Sequence, residues 1–325
     1  MKSIVAAAQF APEYGDFEKG VAKAVTIVEQ AAKQDVQLLV FPELWFLGYP
    51  YWASMDTRDP VFQQYMALFM AEAGPADDPR LKPVLDAAQK HGMALNIGIH
   101  ERDGYSLYNT QILIDPHGQL ASIHRKLMPT FTERLVHGFG DGSDISAHDF
   151  GFGAIGGLMC FEHQMTLARA ALCQMGVQIH CAQWPGQGFL SPVIDASMRQ
   201  LAHENGCFVV SAREVMSVDR LSGTIGYGAE ADRWQGVGGA SIVAPNATYL
   251  AEPVFDDERL VVAELDLSMI PMIKMHLDNA GHYARPDVFQ LLWDDRPKPV
   301  LKRPEQHGEQ HEGQEEMPED DKNDT

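Results

Sequence analysis

Short, nearly unbroken apolar runs recur along this chain, and stretches with helical spacing separate most of them. A strand that is apolar at almost every position is buried on both faces, so a sheet made of such strands needs a layer packed on each side. Residues 3–10 (SIVAAAQF) are the first run, and 38–41 (LLVF) are the second, ending on Pro42 and Glu43. Asp16 caps a predicted helix over 17–33, whose buried stripe is Phe17, Val21, Ala24, Val25, Val28 and Ala32. Pro79 opens another predicted helix that runs to His91 and stops at Gly92. Residues 93–101 and 107–114 read as strands joined by an Asp103-Gly104 turn, and 121–126 as a further strand. The strand predicted over 153–159 runs into Cys160. A helix with Met165, Ala168, Leu172 and Met175 on one face follows, and Gly176 ends it. Strands over 177–182 and 207–212 flank a helix over 192–205, and 240–244, 249–253 and 260–267 complete the set. Residues 213–237, rich in glycine and charge, read as a long loop, a lid or an interface. Helix and strand alternate, with hairpins in the middle and near the end. The expected fold is α/β, a mixed sheet with helices on its faces.

The chain has 325 residues, of which 1–301 are expected to form one domain. From Lys302 the composition changes, and the only apolar side chain is Met317. Residues 302–325 cannot bury enough surface to offset the entropy of ordering and are expected to be a disordered acidic tail. A net charge of −20 repels phosphate backbones and anionic membranes, so a small-molecule partner is expected, with no nucleic acid and no membrane. No run of about 18 apolar residues is present, and the N-terminus reads as a buried strand and not a signal peptide. The four cysteines, Cys160, Cys173, Cys181 and Cys207, include no CxxC pair. Free thiols without an export signal point to the cytoplasm.

The junction GGLMCFEHQMTLARAAL carries the most chemistry. Here a buried strand turns sharply into a helix with Cys160 at the corner. Backbone N–H groups and the helix dipole at such a corner stabilise a thiolate and hold a developing anion. Taken alone, a buried structural role is the commoner fate of a cysteine, and that reading holds for Cys173, Cys181 and Cys207. Glu43 follows an apolar strand, where surroundings of low polarity disfavour its charge and tune it toward base catalysis. Lys126 in HRKLMPT stands at another strand end, and Glu133 lies seven residues further on. Singly, each of these charges reads as solvated. Together, Glu, Lys and Cys end three apolar strands of one sheet, and active sites of α/β sheets gather beyond the carboxyl ends of strands. Gly151-Phe-Gly153-Ala-Ile-Gly156 fits GxGxxG by letter but leads into a strand, opposite to a dinucleotide fingerprint. His307 and His311 lie in the tail and read as no metal site.

FPELWFLGYP, HRKLMPTFTERLVHGFGDGS, GGLMCFEHQMTLARAAL and GHYARPD resemble the signature blocks of the nitrilase family, the nitrilase and cyanide hydratase branch of the carbon–nitrogen hydrolases. SLYNTQILIDPHG and IHCAQWPG fit the same pattern, and the resemblance spans residues 3–296. It implies an αββα sandwich, paired across two protomers as αββα–αββα, in a homodimer or a larger, spiral homo-oligomer. It implies a catalytic triad of Glu43, Lys126 and Cys160, with Glu133 as a fourth functional residue, and no metal or organic cofactor. Phe161, Trp184 and Tyr49 are implied at the substrate, although Trp184 reads equally well as a core aromatic. Phe161-Glu162-His163 after the cysteine leans toward nitrile hydrolysis, with an aliphatic amidase, a carbamoylase or a cyanide-hydrolysing enzyme as alternatives. Two departures, Phe161 for the usual Trp and His137 for an aromatic, bear on substrate range more than on the triad.

Overall fold

The computed structural model describes residues 1–217 and 235–299. Thirteen strands are described: β1 (Lys2–Gln9), β2 (Leu38–Val40), β3 (Ala94–Asp103), β4 (Ser106–Ile114), β5 (Leu120–Arg125), β6 (His148–Asp149), β7 (Ala154–Met159), β8 (Ile179–Trp184), β9 (Phe208–Arg213), β10 (Val215–Met216), β11 (Gly236–Val243), β12 (Tyr249–Phe255) and β13 (Arg259–Asp266). The helices are α1 (Phe17–Ala32), α2 (Pro60–Glu72), α3 (Lys82–His91), α4 (Thr166–Gln174), α5 (Ser191–Asn205) and α6 (Met269–Lys274). They build two sheets. One has six strands in the order β13-β1-β2-β3-β4-β5; the other has seven, in the order β10-β11-β9-β8-β7-β6, with β12 also paired to β11.

Alternation along the strands sets the layers, since successive side chains point to opposite faces. Val5 and Ala7 of β1, Leu38 and Val40 of β2 and Ala94 of β3 meet Ile155, Ile179, Cys181, Phe208, Val210 and Ile242 of the other sheet. Their neighbours Ala6, Ala8, Leu39 and Leu95 point the other way, onto α1, α2 and α3. Across the second sheet Ala182, Trp184 and Val209 pack on Ile194, Met198 and Leu201 of α5. The result is a helix–sheet–sheet–helix sandwich.

Most element ends follow their local chemistry. The Asp16 carboxylate accepts from the Lys19 N–H at 3.0 Å and starts α1. α3 stops at Gly92, whose φ of +59° favours a residue without Cβ. β3 runs through Asp103, so Gly104 and Tyr105 form the hairpin loop, one residue later than the sequence suggests. Met165 is a correction. A 3-10 turn over Cys160–Gln164 intervenes before α4, so Met165 caps that helix and does not join its buried face. The loop expected over 213–237 begins and ends as strand, in β9, β10 and β11. Its residues 218–234, and the tail from 300 onward, lie outside the described residues.

Candidate active site

β2, β5 and β7 run out at a common rim into Glu43, Lys126 and Cys160. The expectation of one sheet is corrected here. β2 and β5 belong to the six-stranded sheet and β7 to the seven-stranded one. Hydrophobic alternation marks which residues are buried but not which sheet a strand joins, so the sequence pattern was silent on this point. At Gly98 of β3 an added Cβ would lie 2.4 Å from the Leu44 nitrogen and 2.6 Å from the Pro42 carbonyl oxygen. Only glycine lets β3 pass this close to the turn that carries Glu43.

The charged groups converge. Lys126 Nζ donates to Glu43 Oε1 at 2.6 Å and to Glu133 Oε2 at 2.8 Å. Asn109 Nδ2 donates to the same Glu43 oxygen at 2.7 Å, and Tyr49 Oη donates to Glu133 Oε1 at 2.6 Å. Glu43, Lys126, Glu133 and Cys160 are all buried. Ligand atoms of Glu43, Glu133 and Cys160 lie within 4.8 Å of one another, a spacing that would suit a cation. The Lys126 ammonium already holds the cationic position between the two carboxylates. Glu43 Oε2 has no hydrogen-bond partner among the described residues. It is thus an acceptor held beside a thiol.

Burial governs the protonation of this cluster. It pushes Glu43 up to about 7, against the pull of Lys126. Burial would lower Lys126, but Cys160, Glu133 and Glu43 together raise it well above its usual range, so it stays charged. Burial, joined by the Glu43 charge, also pushes the Cys160 thiol far up. A base must therefore take its proton, the role the sequence suggests for Glu43. The Phe161 backbone N–H favours the anion, but burial and the Glu43 charge outweigh it. The thiol therefore loses its proton only as it attacks.

One carboxylate staples the two sheets beneath the site. Glu162 accepts from the Leu127 N–H at 2.6 Å and the Met159 N–H at 2.9 Å, the neighbours of Lys126 and Cys160. His124 Nε2 donates to the same carboxylate at 3.1 Å and His124 Nδ1 to Asp144 at 2.6 Å. Burial lowers His124, but Glu162 and Asp144 override it and raise it to about 10. A pKa raised on folding adds stability that is full below the unfolded value of about 6.5 and lost as pH rises through about 10. Urea unfolding of the wild type is expected to show falling stability between about pH 6.5 and 10. His124→Gln should flatten that slope; an unchanged slope would remove His124 from this role.

The remaining residues expected at the substrate are also placed. Trp184 is fully buried, and its ring meets Phe161 edge-on at 6.1 Å. Tyr49 reaches the cluster through Glu133, as above. His137, buried, donates from Nε2 to His100 Nδ1 at 3.1 Å, and His100 Nε2 donates to the Gly48 carbonyl at 2.9 Å. Asn109, His124, Asp144 and Glu162 were not singled out for these roles from sequence. Their signal is tertiary, because each acts through a partner remote in the chain.

Residues 4–274 match the carbon–nitrogen hydrolase family. An aliphatic nitrilase of Rhodococcus rhodochrous is 38% identical over 310 residues, covering 90% of this chain and 82% of that protein. An aliphatic nitrilase of Sinorhizobium fredii is 36% identical over 308 residues, covering 91% and 97% respectively. Among solved structures, Nit3 of Saccharomyces cerevisiae, a member of branch 10 of the nitrilase superfamily, superposes with a TM-score of 0.69. That match has 20% identity and covers 89% of this chain and 97% of Nit3, so it speaks for the fold. A layered α/β sandwich and a rim carrying glutamate, lysine and cysteine thus coincide with these matches. The chain belongs to the nitrilase family of carbon–nitrogen hydrolases.

Proposed function

We propose that the protein hydrolyses organic nitriles to carboxylic acids and ammonia, with Cys160 as nucleophile. The observation that carries this reading is the buried Glu43–Lys126–Glu133 cluster beside Cys160. It is a preorganised acid–base site of fully buried side chains. Glu43 takes the thiol proton as sulfur adds to the nitrile carbon and passes it to the nitrogen, giving a covalent thioimidate. Lys126 and the Phe161 N–H face the charge that develops during addition. Water adds to the thioimidate carbon, its two protons pass in turn to nitrogen, and ammonia leaves a thioester. A second water releases the acid and returns the proton to sulfur. Glu133 holds Lys126 and, through Tyr49, shapes the pocket, while Phe161 and Trp184 form its apolar wall.

The substrate is a small nitrile, and the chain uses no cofactor, nucleic acid or membrane. Free thiols at Cys160 and three further buried cysteines suit a reducing cytoplasm. Exposed Met272, Met275, Phe289 and Leu292 in the C-terminal part support association into an αββα–αββα dimer or a larger homo-oligomer. The decisive assay compares matched nitrile and primary amide pairs, measuring ammonia and acid. A nitrile carbon has no leaving group until water has added, whereas an amide needs its nitrogen protonated at once. The best nitrile is expected to exceed its amide in kcat/KM by about a hundredfold or more. Equal turnover of the amide would make the protein an amidase on the same triad.

A further inference from the structure

Two buried histidines behind the nucleophile take no part in the chemistry above. His163 lies in the Cys160–Gln164 turn, and His180 is on β8. His163 Nδ1 is 2.7 Å from the Cys160 carbonyl oxygen, and His163 Nε2 is 3.0 Å from His180 Nε2. His180 Nδ1 has no partner among the described residues. A carbonyl oxygen only accepts, so His163 carries its hydrogen on Nδ1. Burial keeps both rings neutral, pushing His163 well down and His180 down to about 3. A neutral ring with hydrogen on Nδ1 has a bare Nε2, so His180 must donate from its own Nε2. Every hydrogen in the chain is then assigned, from His180 through His163 to the Cys160 carbonyl.

The carbonyl at the end of this chain matters for two reasons. Cys160 has a φ of +50°, which a residue with a Cβ keeps only when its surroundings hold it. Furthermore, the Cys160 C=O and the Phe161 N–H belong to one planar peptide unit, so turning one turns the other. That N–H is the backbone group that favours the Cys160 anion. The His163 ring is itself pinned, stacked on Trp184 at 4.9 Å between centroids and 19° between planes.

We propose that His163, its tautomer set by His180, is a positioning residue that clamps the Cys160–Phe161 peptide so that the Phe161 N–H stays aimed at the reacting sulfur. The proposal rests on Cys160 being the nucleophile. Two experiments test it. In wild-type protein labelled with 15N-histidine, NMR is expected to show His163 as the Nδ1–H tautomer and His180 as the Nε2–H tautomer. His163 in the Nε2–H form would overturn the clamp. In kinetics, His163→Asn returns an amide N–H near the Nδ1 position, whereas His163→Gln extends it toward Nε2 and His163→Leu has none. The Leu and Gln variants are expected to lose about a hundredfold in kcat with KM changed little, while Asn recovers most of it. Activity that follows thermal stability across the three variants, or Gln matching Asn, would reject positioning in favour of simple packing. Cys160→Ala run alongside separates the two readings: if it turned over substrate, the nucleophile assignment would fail, whatever the histidine variants did.

Discussion

Cys160→Ala is expected to leave a folded protein whose nitrile turnover has fallen by about ten-thousandfold or more, because the covalent route has no substitute. The structural cost should be small. Cys160 touches the α5 layer through Ala182 and Trp184, and removing one sulfur opens a cavity worth about 1 kcal/mol. Alanine also tolerates the left-handed backbone no worse than cysteine does. The other three cysteines should behave in the opposite way. Cys181 packs between the sheets and Cys207 against α5, so their alanine variants should lose stability and keep their chemistry. Ammonia release and thermal unfolding measured on the same preparations separate the two classes. Substantial ammonia from Cys160→Ala would sink its assignment as nucleophile.

The layering was legible because buried runs alternate with amphipathic stretches, and capping residues such as Asp16 and Gly92 act locally. α2 went unassigned even though Asp59 accepts from the Val61 N–H at 2.8 Å and Pro60 opens the helix. Its buried face is only Phe62, Tyr65 and Phe69, and apolar residues elsewhere on the helix blur the period. Glu43, Lys126 and Cys160 could be found because all three stand at strand ends and within the motif blocks that resemble the nitrilase family, although singly each charge read as solvated. The sheet each strand joins, and the Glu162 staple that ties Leu127 to Met159, depend on contacts far apart in sequence. No local pattern encodes them.

The protonation of the thiol also depends on contacts far apart in sequence. A strand–turn–helix corner does present N–H groups to Cys160, and that much is local. The opposing effect comes first from burial and then from the charge of Glu43, which arrives from a distant segment. Burial and the charge of Glu43 disfavour the Cys160 anion more than Lys126 and one N–H favour it. The site is better described as a poised base next to a protonated nucleophile.

That description makes the charged partners one unit. Glu43→Gln and Lys126→Ala should each lower kcat/KM by about a thousandfold or more, and the double variant should be scarcely worse than either single one. Without the ammonium, Glu43 and Glu133 are like charges buried without a counterion, so at least one takes up a proton. The lysine variant therefore disables the base as well. The pH profile distinguishes this from separate structural damage. In the wild type the base must be ionised, so kcat/KM should rise with pH through about 7 and then level off. Lys126→Ala removes the charge that holds Glu43 down, so its residual activity should rise only at higher pH. Glu43→Gln should lose the limb near 7 altogether. Losses that multiply in the double variant, or a limb that stays near 7 without Glu43, would show that Glu43 and Lys126 act independently and that the base lies elsewhere.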